Sequence, residues 1–438
     1  MTSSAGTSIM VDSVGSEWSV VGGELSSSHA ELFWDVIVIG AGAAGLMAAL
    51  RAAERGRRTL LLEKNRKAGV KILMSGGTRC NITQNTDNRG IVAAYGPPGK
   101  FLHSALAAFS VQDTLDFFAA EGVATKVEDT GKIFPVSDRA LDVLSALLGR
   151  VTRSGVTLAL GEPVLELARS EAGFTIATPQ RRLSCGRVIL TSGGQSYPGS
   201  GTTGDGYRFA AQLGHTIVPP RPALVPLTTD AGWIHELRGV TLPDVAVTIW
   251  EGDKKLTSRR GSLLFAHFGL SGPVILDVSR VVSGHPRPND LLLTIDLLPG
   301  TSEGELDAWL REQALASGKK QLAVVLAEQL PRRLADCVLQ RCGANVDRKA
   351  SGLTREDRGK IVDAVKHLRL PITGTLGFKK AEVTAGGVAL DEVDSRTMQS
   401  KLVPGLYIAG EVLDLDGPIG GYNFQAAWST GWLAGSSV

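Results

Sequence analysis

Three glycines and one carboxylate, Gly40, Gly42, Gly45 and Glu63, have the types and the spacing that bind a dinucleotide. The glycines form a GxGxxG motif, and the acid follows the last of them by 18 residues. Such a turn brings its backbone against a pyrophosphate, and an acid ending the next strand accepts hydrogen bonds from a ribose. The motif alone does not separate FAD from NAD.

A strand, a helix and a second strand are needed to position these four residues. The apolar run 36–39 predicts a buried strand, and the alanine-rich stretch that ends near Gly56 predicts a helix. A second apolar run, residues 59–62, predicts the strand that ends at Glu63. The N-terminus of the helix then offers free N–H groups and a positive dipole to a diphosphate.

The C-terminal segment carries a second glycine pattern. The run "GLYIAGE" predicts a buried strand that delivers Gly410 and Glu411 at its carboxyl end, where α/β sheets bind ligands. Gly420 and Gly421 then open a predicted helix that extends to about Trp432. In a flavoenzyme, such a helix start faces the N1–C2=O edge of the ring, where negative charge gathers on reduction.

A second formal GxGxxG occurs at Gly199, Gly201 and Gly204. Pro198 separates it from the preceding strand, and the chain then enters a proline-rich stretch rather than a strand that ends in an acid. We therefore interpret it as a loop of the same domain, and not as a second dinucleotide module.

Several segments together resemble one known family. The chain is similar to the YhiN/BaiN-like family of NAD(P)/FAD-dependent oxidoreductases, also called aminoacetone oxidase family flavoproteins. The resemblance runs from about residue 34 to the C-terminus, and Thr78 stands where the family usually has glycine. The matching segments are "VIVIGAGAAGLMAAL", "GVKILMSGGTRCNIT", "KIFPVSDRALDVL", "LFAHFGLSGPVIL", "AEVTAGGV" and "GLYIAGEVLDLDGPIGGYNFQAAWSTGWLAG".

The resemblance implies an α/β fold with a Rossmann-like FAD-binding domain of the glutathione-reductase/fumarate-reductase type. It implies FAD as cofactor, and NAD(P)H as a donor that binds transiently at the flavin. An inserted domain interrupts the FAD-binding domain, and residues from 216 read as a proline-rich linker into it. The implied divisions are a flexible tail (1–31), the FAD-binding domain (32–215 and 372–438) and the insert (216–371), which is β-rich over 216–300 and helical over 301–371.

The loop "MSGGTRCNIT" then lies along the cofactor. Gly76 and Gly77 let the backbone pass close to it, Arg79 pairs with a phosphate or ring oxygen, and Asn81 holds the turn. Cys80 is either a redox thiol or a packing residue, and packing is favoured because no partner cysteine is near in sequence.

All predicted cofactor-binding residues come from these glycine-rich segments and their neighbours. They are Gly40, Gly42, Ala43, Ala44, Gly45, Glu63, Lys64, Lys71, Ser75, Gly76, Gly77, Arg79, Cys80, Asn81, Ser192, Gly193, Gly194, Gly410, Glu411, Gly420, Gly421, Tyr422 and Asn423.

One histidine is a candidate for catalysis. His267 lies in the insert near the turn formed by Ser271, Gly272 and Pro273, and its ordinary pKa suits proton transfer to a substrate. The alternative is a histidine that bonds this turn and shapes the insert.

Charge and composition limit the partners. The formal net charge is +2, and the insert has 21 basic and 18 acidic residues with few aromatic residues between them, so we expect no nucleic-acid partner. No apolar run reaches membrane-spanning length, no lysine or arginine precedes Arg51, and the four cysteines lack CxxC spacing. We expect a cytoplasmic protein without a metal site or a membrane partner.

These features predict an FAD-dependent oxidoreductase. It transfers a hydride through flavin N5 to or from a small organic substrate. Two alternatives remain, a flavin-dependent RNA-modifying protein and a non-catalytic flavin redox sensor.

Overall fold

The computed structural model describes residues 33–316 and 318–438 of the chain. The predicted flexible tail, residues 1–31, lies outside them. The strands are β1 (Trp34–Ile39), β2 (Thr59–Glu63), β3 (Thr83–Gln84), β4 (Thr125–Val127), β5 (Lys132–Pro135), β6 (Thr157–Leu160), β7 (Glu166–Ser170), β8 (Gly173–Ala177), β9 (Arg182–Leu190), β10 (Ile217–Ala223), β11 (Leu227–Thr228), β12 (Thr241–Glu251), β13 (Lys254–Ala266), β14 (Gly269–Ser271), β15 (Leu291–Asp296), β16 (Leu368–Pro371), β17 (Gly374–Thr375), β18 (Val383–Val388) and β19 (Leu406–Ile408). The α-helices are α1 (Ala43–Glu54), α2 (Val70–Met74), α3 (Asn88–Tyr95), α4 (His103–Ala108), α5 (Val111–Ala120), α6 (Ala140–Arg153), α7 (Asp205–Gln212), α8 (Pro273–Ser283), α9 (Glu303–Ala316), α10 (Leu322–Leu326), α11 (Arg332–Arg341), α12 (Arg355–Lys366) and α13 (Tyr422–Ser437).

The first sheet has seven strands and a parallel centre. Strands β6, β2, β1 and β9 lie side by side in that order. The far edge of β9 is shared, because β8 pairs antiparallel with its first half and β19 pairs parallel with its second half. Antiparallel β7 completes the sheet beyond β8. The predicted unit of strand, helix and strand is confirmed as β1, α1 and β2.

Strand β1 is buried on both faces, as its continuous apolar run predicted. Val36 and Val38 pack in one hydrophobic core with helix α1, whereas Ile37 and Ile39 pack in a second core on the other face. Because β1, β2, β9 and β19 are parallel, their carboxyl ends lie at one edge of the sheet. Ligands of α/β proteins bind at such an edge.

The second sheet also has seven strands, and all of its pairs are antiparallel. Its order is β16-β15-β12-β13-β14-β11-β17. Alternate residues of β12, such as Val245, Val247 and Ile249, face a core that they share with helices α8 to α12. The stretch 216–300, predicted as mostly β, also contains one α-helix, α8, and two short 3₁₀ helices. The predicted domain limits stay predictions.

The proline-rich stretch predicted as a linker forms a strand. Strand β10 pairs antiparallel with β18 in a separate two-stranded sheet. Pro219 and Pro220 fall between Val218 and Arg221, where the register shifts, so no ladder hydrogen bond is needed from them. A bulge lets a proline-rich segment pair where an uninterrupted ladder would exclude it.

Two smaller features complete the description. Helix α6 begins at Ala140 after Arg139, which makes no side-chain capping bond with the described residues. In the two described ranges, no helix is both long and apolar enough to cross a membrane.

Candidate functional site

The phosphate loop, residues 40–45, joins β1 to α1. Gly45 packs so closely that a Cβ there would lie 1.8 Å from the carbonyl oxygen of Gly40. A Cβ at Gly42 would meet no heavy atom of the described residues within 4 Å, so this part of the backbone faces open space. One glycine thus permits packing and the other permits the approach of a phosphate.

The N-terminus of α1 opens onto the same space. No side chain of the described residues caps the helix at Gly42, and the first N–H groups of an α-helix have no intrahelical partners. Ser192, which follows β9, also lines the cavity, although its hydroxyl is buried and packs against Gly206. Free N–H groups and a helix dipole suit a pyrophosphate.

Glu63 ends β2, and two backbone groups hold its carboxylate. The N–H of Ala41 donates to Oε2 at 2.9 Å, and the N–H of Asn65 donates to Oε1 at 2.8 Å. Both bonds fix the carboxylate at the cavity wall. Each oxygen keeps a further lone pair that can accept a hydrogen bond, and the role of Glu63 toward a ribose stays a prediction.

The glycine loop, residues 75–81, makes a left-handed turn. Gly76, Gly77 and Thr78 have φ values of 54°, 67° and 71° in succession. This region favours glycine, and a β-branched residue there is strained. The strain at Thr78 gives a physical reason for the glycine that the resembling family usually has at this position.

Two carboxylates and an aromatic ring hold the guanidinium of Arg79 in the glycine loop. Its Nη1 donates to Glu128 Oε1 at 2.6 Å and to Asp138 Oδ1 at 3.4 Å. The guanidinium carbon also lies 3.9 Å from the ring centre of Phe134. Two carboxylates therefore take the role that the sequence assigned to a phosphate or ring oxygen, and pairing of Arg79 with the cofactor stays a prediction.

Cys80 is fully buried beneath this loop. Burial raises the pKa of its thiol to about 12, and a hydrogen bond with Ser75 opposes this only in part. A thiol, and not the nucleophilic thiolate, is therefore the form at neutral pH. Its environment supports the packing role.

Asn81 connects the glycine loop to the start of α13. With its amide oriented so that both ends are satisfied, the nitrogen donates to the carbonyl oxygens of Thr83 (2.9 Å) and Ile133 (3.1 Å). The amide oxygen accepts from the N–H of Gly421 at 3.0 Å. A residue predicted to hold its own turn thus also fixes the start of the C-terminal helix.

Helices α13 and α1 pack in direct contact. A Cβ at Gly431 would lie 2.3 Å from the carbonyl oxygen of Ala44, so only glycine allows this approach. Helix α13, like α1, has no side-chain cap at its N-terminus among the described residues. Gly42 and Gly421, which precede the two helices, both line the same cavity.

A polar cluster joins α2 to the end of the first sheet. Lys71 donates to Ser196 Oγ at 2.8 Å and forms an ion pair with Glu411. Oε1 of Glu411 accepts from Ser196 Oγ at 2.8 Å and from the N–H of Thr384 at 2.9 Å. The cluster fixes both predicted residues, Lys71 and Glu411, at the cavity wall.

The second glycine-rich segment also contributes to this wall. Ser200, Gly201 and Thr202 line the cavity, and the N–H of Gly204 donates to the carbonyl of Gly194. A short 3₁₀ helix, Pro198–Ser200, precedes them instead of a strand. The segment belongs to the first site.

One cavity of about 600 Å³ collects these parts, a volume typical of sites for small ligands and cofactors. An anion site at α1, a carboxylate on β2 and a second open helix start at α13 fit FAD. The predicted residues that line the cavity are Gly40, Gly42, Ala43, Ala44, Glu63, Lys64, Lys71, Ser75, Gly76, Gly77, Arg79, Asn81, Ser192, Gly193, Gly410, Glu411, Gly420, Gly421 and Asn423. The predicted residues Gly45, Cys80, Gly194 and Tyr422 are not part of this lining.

His267 lies apart from the cavity lining. It is exposed between β13 and β14, and its ring contacts Phe268 edge to face at a centroid distance of 5.0 Å. The structure does not bring it to the other predicted residues, and its catalytic role stays a prediction.

Six charged lining residues were not predicted from the sequence: Glu128, Lys132, Glu162, Asp205, Lys380 and Glu382. Lys132 and Glu382 lie in two of the family-like segments, "KIFPVSDRALDVL" and "AEVTAGGV". Those segments contain no spacing that indicates a ligand, so only the folded chain identifies them.

Comparison with known proteins gives a consistent family. A sequence profile described as "HI0933-like protein Rossmann domain" matches residues 34–437. The ribosomal RNA dihydrouridine synthase of Escherichia coli (strain K12) is 38% identical over 92% of this chain and 98% of its own length. The 3-dehydro-bile acid delta(4,6)-reductase of Clostridium scindens is 33% identical over 92% of this chain and 98% of its own. The structure of 3-ketosteroid-delta4-(5alpha)-dehydrogenase from Rhodococcus jostii RHA1, with 4-androstene-3,17-dione, has a TM-score of 0.48 and 16% identity, covering 94% of this chain and 98% of that one.

Proposed function

The chain belongs to the HI0933-like family of FAD-binding Rossmann proteins, and from this premise we propose that it is a reductase of carbon–carbon double bonds conjugated to a carbonyl. The observation that carries the proposal is the single cavity onto which two uncapped helix N-termini open. The oxidoreductase class follows from the family, and the acceptor is our inference.

Each end of the cavity has a role toward FAD. The N-terminus of α1 would hold the pyrophosphate, Glu63 the ribose, and the N-terminus of α13 the flavin ring. FAD supplies hydride transfer at N5, which amino-acid side chains do not provide. The protein's own contribution is to orient the acceptor, exclude water and move a proton.

The acceptor class comes from the chemistry that two relatives' names share. Dihydrouridine is uridine saturated at a double bond conjugated to a ring carbonyl. The delta(4,6) double bonds of a 3-dehydro-bile acid are likewise conjugated to its keto group. Because the two relatives each resemble this chain over 92% of its length, we carry over the shared reaction rather than either substrate.

NAD(P)H is proposed as the donor that reduces the flavin and then leaves. In this proposal the nicotinamide uses the same cavity as the acceptor. The second glycine-rich segment supports a shared cavity, because its residues Ser200, Gly201 and Thr202 line the same cavity as the first GxGxxG motif.

The test starts with the purified protein as it exists. We expect yellow protein whose flavin absorption bleaches with NADH or NADPH under anaerobic conditions, and recovers on mixing with 2-cyclohexen-1-one. Colourless protein that gains no absorbance with FAD would refute the cofactor. Bleached protein that no conjugated acceptor reoxidises would refute the acceptor class and favour a redox sensor.

Reduction of uracil within RNA is a second candidate. The relative named ribosomal RNA dihydrouridine synthase favours it, as do Lys132 and Lys380, two cations of the cavity lining that have no partner among the described residues and that would meet phosphates. We expect nucleoside mass spectrometry to find dihydrouridine after incubation of ribosomal RNA with holoenzyme and NADPH. If the uridine is unchanged while the enzyme reduces 2-cyclohexen-1-one, RNA reduction is refuted. The predictions of a small-molecule substrate and of no nucleic-acid partner would then stand.

A further inference from the structure

Six carboxylates line the cavity, and one of them differs from the rest. Glu382 is the only one without a hydrogen bond or ion pair to its carboxylate in the described parts of the chain. The other five bind backbone N–H groups, hydroxyls or cations; they are Glu63, Glu128, Glu162, Asp205 and Glu411. Glu382 is therefore free to act on a bound molecule.

The cations that line the cavity also differ in whether they have a charged partner. Lys64 is paired with Asp205, and Lys71 is paired with Glu411. Arg79 is held by two carboxylates. Within residues 33–316 and 318–438, Lys132 and Lys380 line the cavity without a hydrogen bond or an ion pair. One acid and two cations thus remain for an acceptor.

The backbone of Glu382 is fixed although its carboxylate is free. Its N–H donates to the carbonyl of Leu224 at 3.1 Å, and its carbonyl accepts from Ser196 Oγ at 3.3 Å. The residue directly precedes β18 and lines the cavity. The chain therefore positions an acid without neutralising it.

The surrounding charges set how this acid ionises. Burial raises the pKa of Glu382, while Lys71 and Lys132 lower it and Asp277 raises it further; the net shift is upward. These groups face it from α2, β5 and α8. The carboxyl therefore keeps its proton to a higher pH than an ordinary glutamate does.

An apolar wall lies beside the free charges. Leu224, Val383 and Ile419 all line the cavity, and they pack together in one small cluster. An apolar surface with a few convergent polar groups is typical of a site that orients a small ring.

We propose that Glu382 is the acid that protonates the acceptor carbon next to the carbonyl, and that Lys132 binds the carbonyl oxygen. This rests on the proposed function and names the protein groups that carry it. Hydride from the reduced flavin forms one C–H bond, the proton of Glu382 forms the other, and the π bond is consumed. The Glu382 carboxylate regains a proton from water, and NAD(P)H restores the two electrons to the oxidised flavin.

The first experiment is independent of turnover. Oxidised holoenzyme is titrated with 4-nitrobenzoate, an anion throughout the range used, and binding is measured from the change in flavin absorption from pH 4.5, the ordinary pKa of a glutamate, up to pH 9. We expect the affinity to fall as pH rises, because ionised Glu382 repels the anion, and Glu382→Gln to remove this fall. Lys132→Gln should weaken binding about tenfold or more, since a charge-assisted contact is lost. Lys379→Gln, an exposed neighbour of Lys380, should bind as the native protein does.

The second experiment measures the proton step. Glu382→Gln should lower kcat for 2-cyclohexen-1-one about 100-fold or more with little change in KM, the loss expected for a missing general acid. Glu382→Asp should recover part of the rate, and native activity should fall as pH rises through the raised pKa. The visible spectrum of bound flavin checks that each variant is folded.

The two kinds of failure are distinguishable. Native enzyme that reduces no conjugated acceptor overturns the proposed function, whatever the binding data show. A Glu382→Gln enzyme that keeps native turnover, or keeps the pH dependence of 4-nitrobenzoate binding, overturns the role of Glu382. Native binding by Lys132→Gln overturns the role of Lys132.

Discussion

Glu63→Gln is the sharpest test of how the protein holds its cofactor. The native carboxylate accepts from two backbone N–H groups, of Ala41 and Asn65, at 2.9 and 2.8 Å. A glutamine offers one oxygen and one NH₂ group, so one of these N–H groups would face another donor. A hydrogen bond to a charged group contributes about 1.5–3 kcal/mol, and the same change removes an acceptor from the ribose. We therefore expect the Kd for FAD to rise about 10- to 100-fold.

The assay is titration of flavin-free protein with FAD, followed by the change in flavin fluorescence. Glu171→Gln provides the matched control, because Glu171 is exposed in the turn between β7 and β8 and makes the same change of charge. Circular dichroism of both variants separates a loss of binding from a loss of folding. A folded Glu63→Gln protein with the native Kd would show that the acid at the end of β2 does not hold the cofactor.

Four further predictions concern the glycine loop and α13. Thr78→Gly should stabilise the protein by about 0.5–1 kcal/mol, because it removes the strain of a β-branched residue at φ 71°. This gain already allows for the greater entropy of the unfolded chain with glycine. An unchanged or lower thermal midpoint would contradict this prediction. Gly421→Ala should lower the ratio of bound flavin to protein severely, since its Cβ would lie 2.5 Å from the backbone of Thr83; full flavin content would be the contrary result. Cys80 should resist iodoacetamide at pH 8 until the protein unfolds, as peptide mass spectrometry would detect. The pKa of the Cys80 thiol is about 12 in the folded protein and 9.0 ordinarily. The stability that this buried thiol contributes should therefore be lost as pH rises between those two values. Thermal unfolding of native and Cys80→Ser protein across this pH range would measure the loss.

Parts of the fold were predictable because their causes are local. The spacing of Gly40, Gly45 and Glu63 is set by one strand, one helix and one strand that are consecutive in the chain. The capping box that begins α5 has an equally local cause, since Ser110 and Asp113 are three residues apart. Strand β10 was not, because its pairing depends on β18, a partner far away in the sequence.

Roles of charged side chains were less predictable than roles of glycines. Arg79 was assigned to the cofactor from its place in the loop, yet Glu128 and Asp138 hold it in the folded chain. His267 has a suitable chemistry and lies apart from the cavity lining. A glycine's role depends on its own backbone, whereas a charged group's role depends on which partners the fold brings within reach.

The sequence by itself determined the glycine turn between β1 and α1, the acid that ends β2 and the glycine that opens the C-terminal helix, because each follows from short-range backbone geometry. Only the tertiary structure decided which charges stay free. It paired Lys71 with Glu411 and left Lys132 and Glu382 together in the cavity, from segments that lie far apart in the chain. Long-range packing sets those distances, and Coulomb and hydrogen-bond energies depend on distance rather than on position in the sequence.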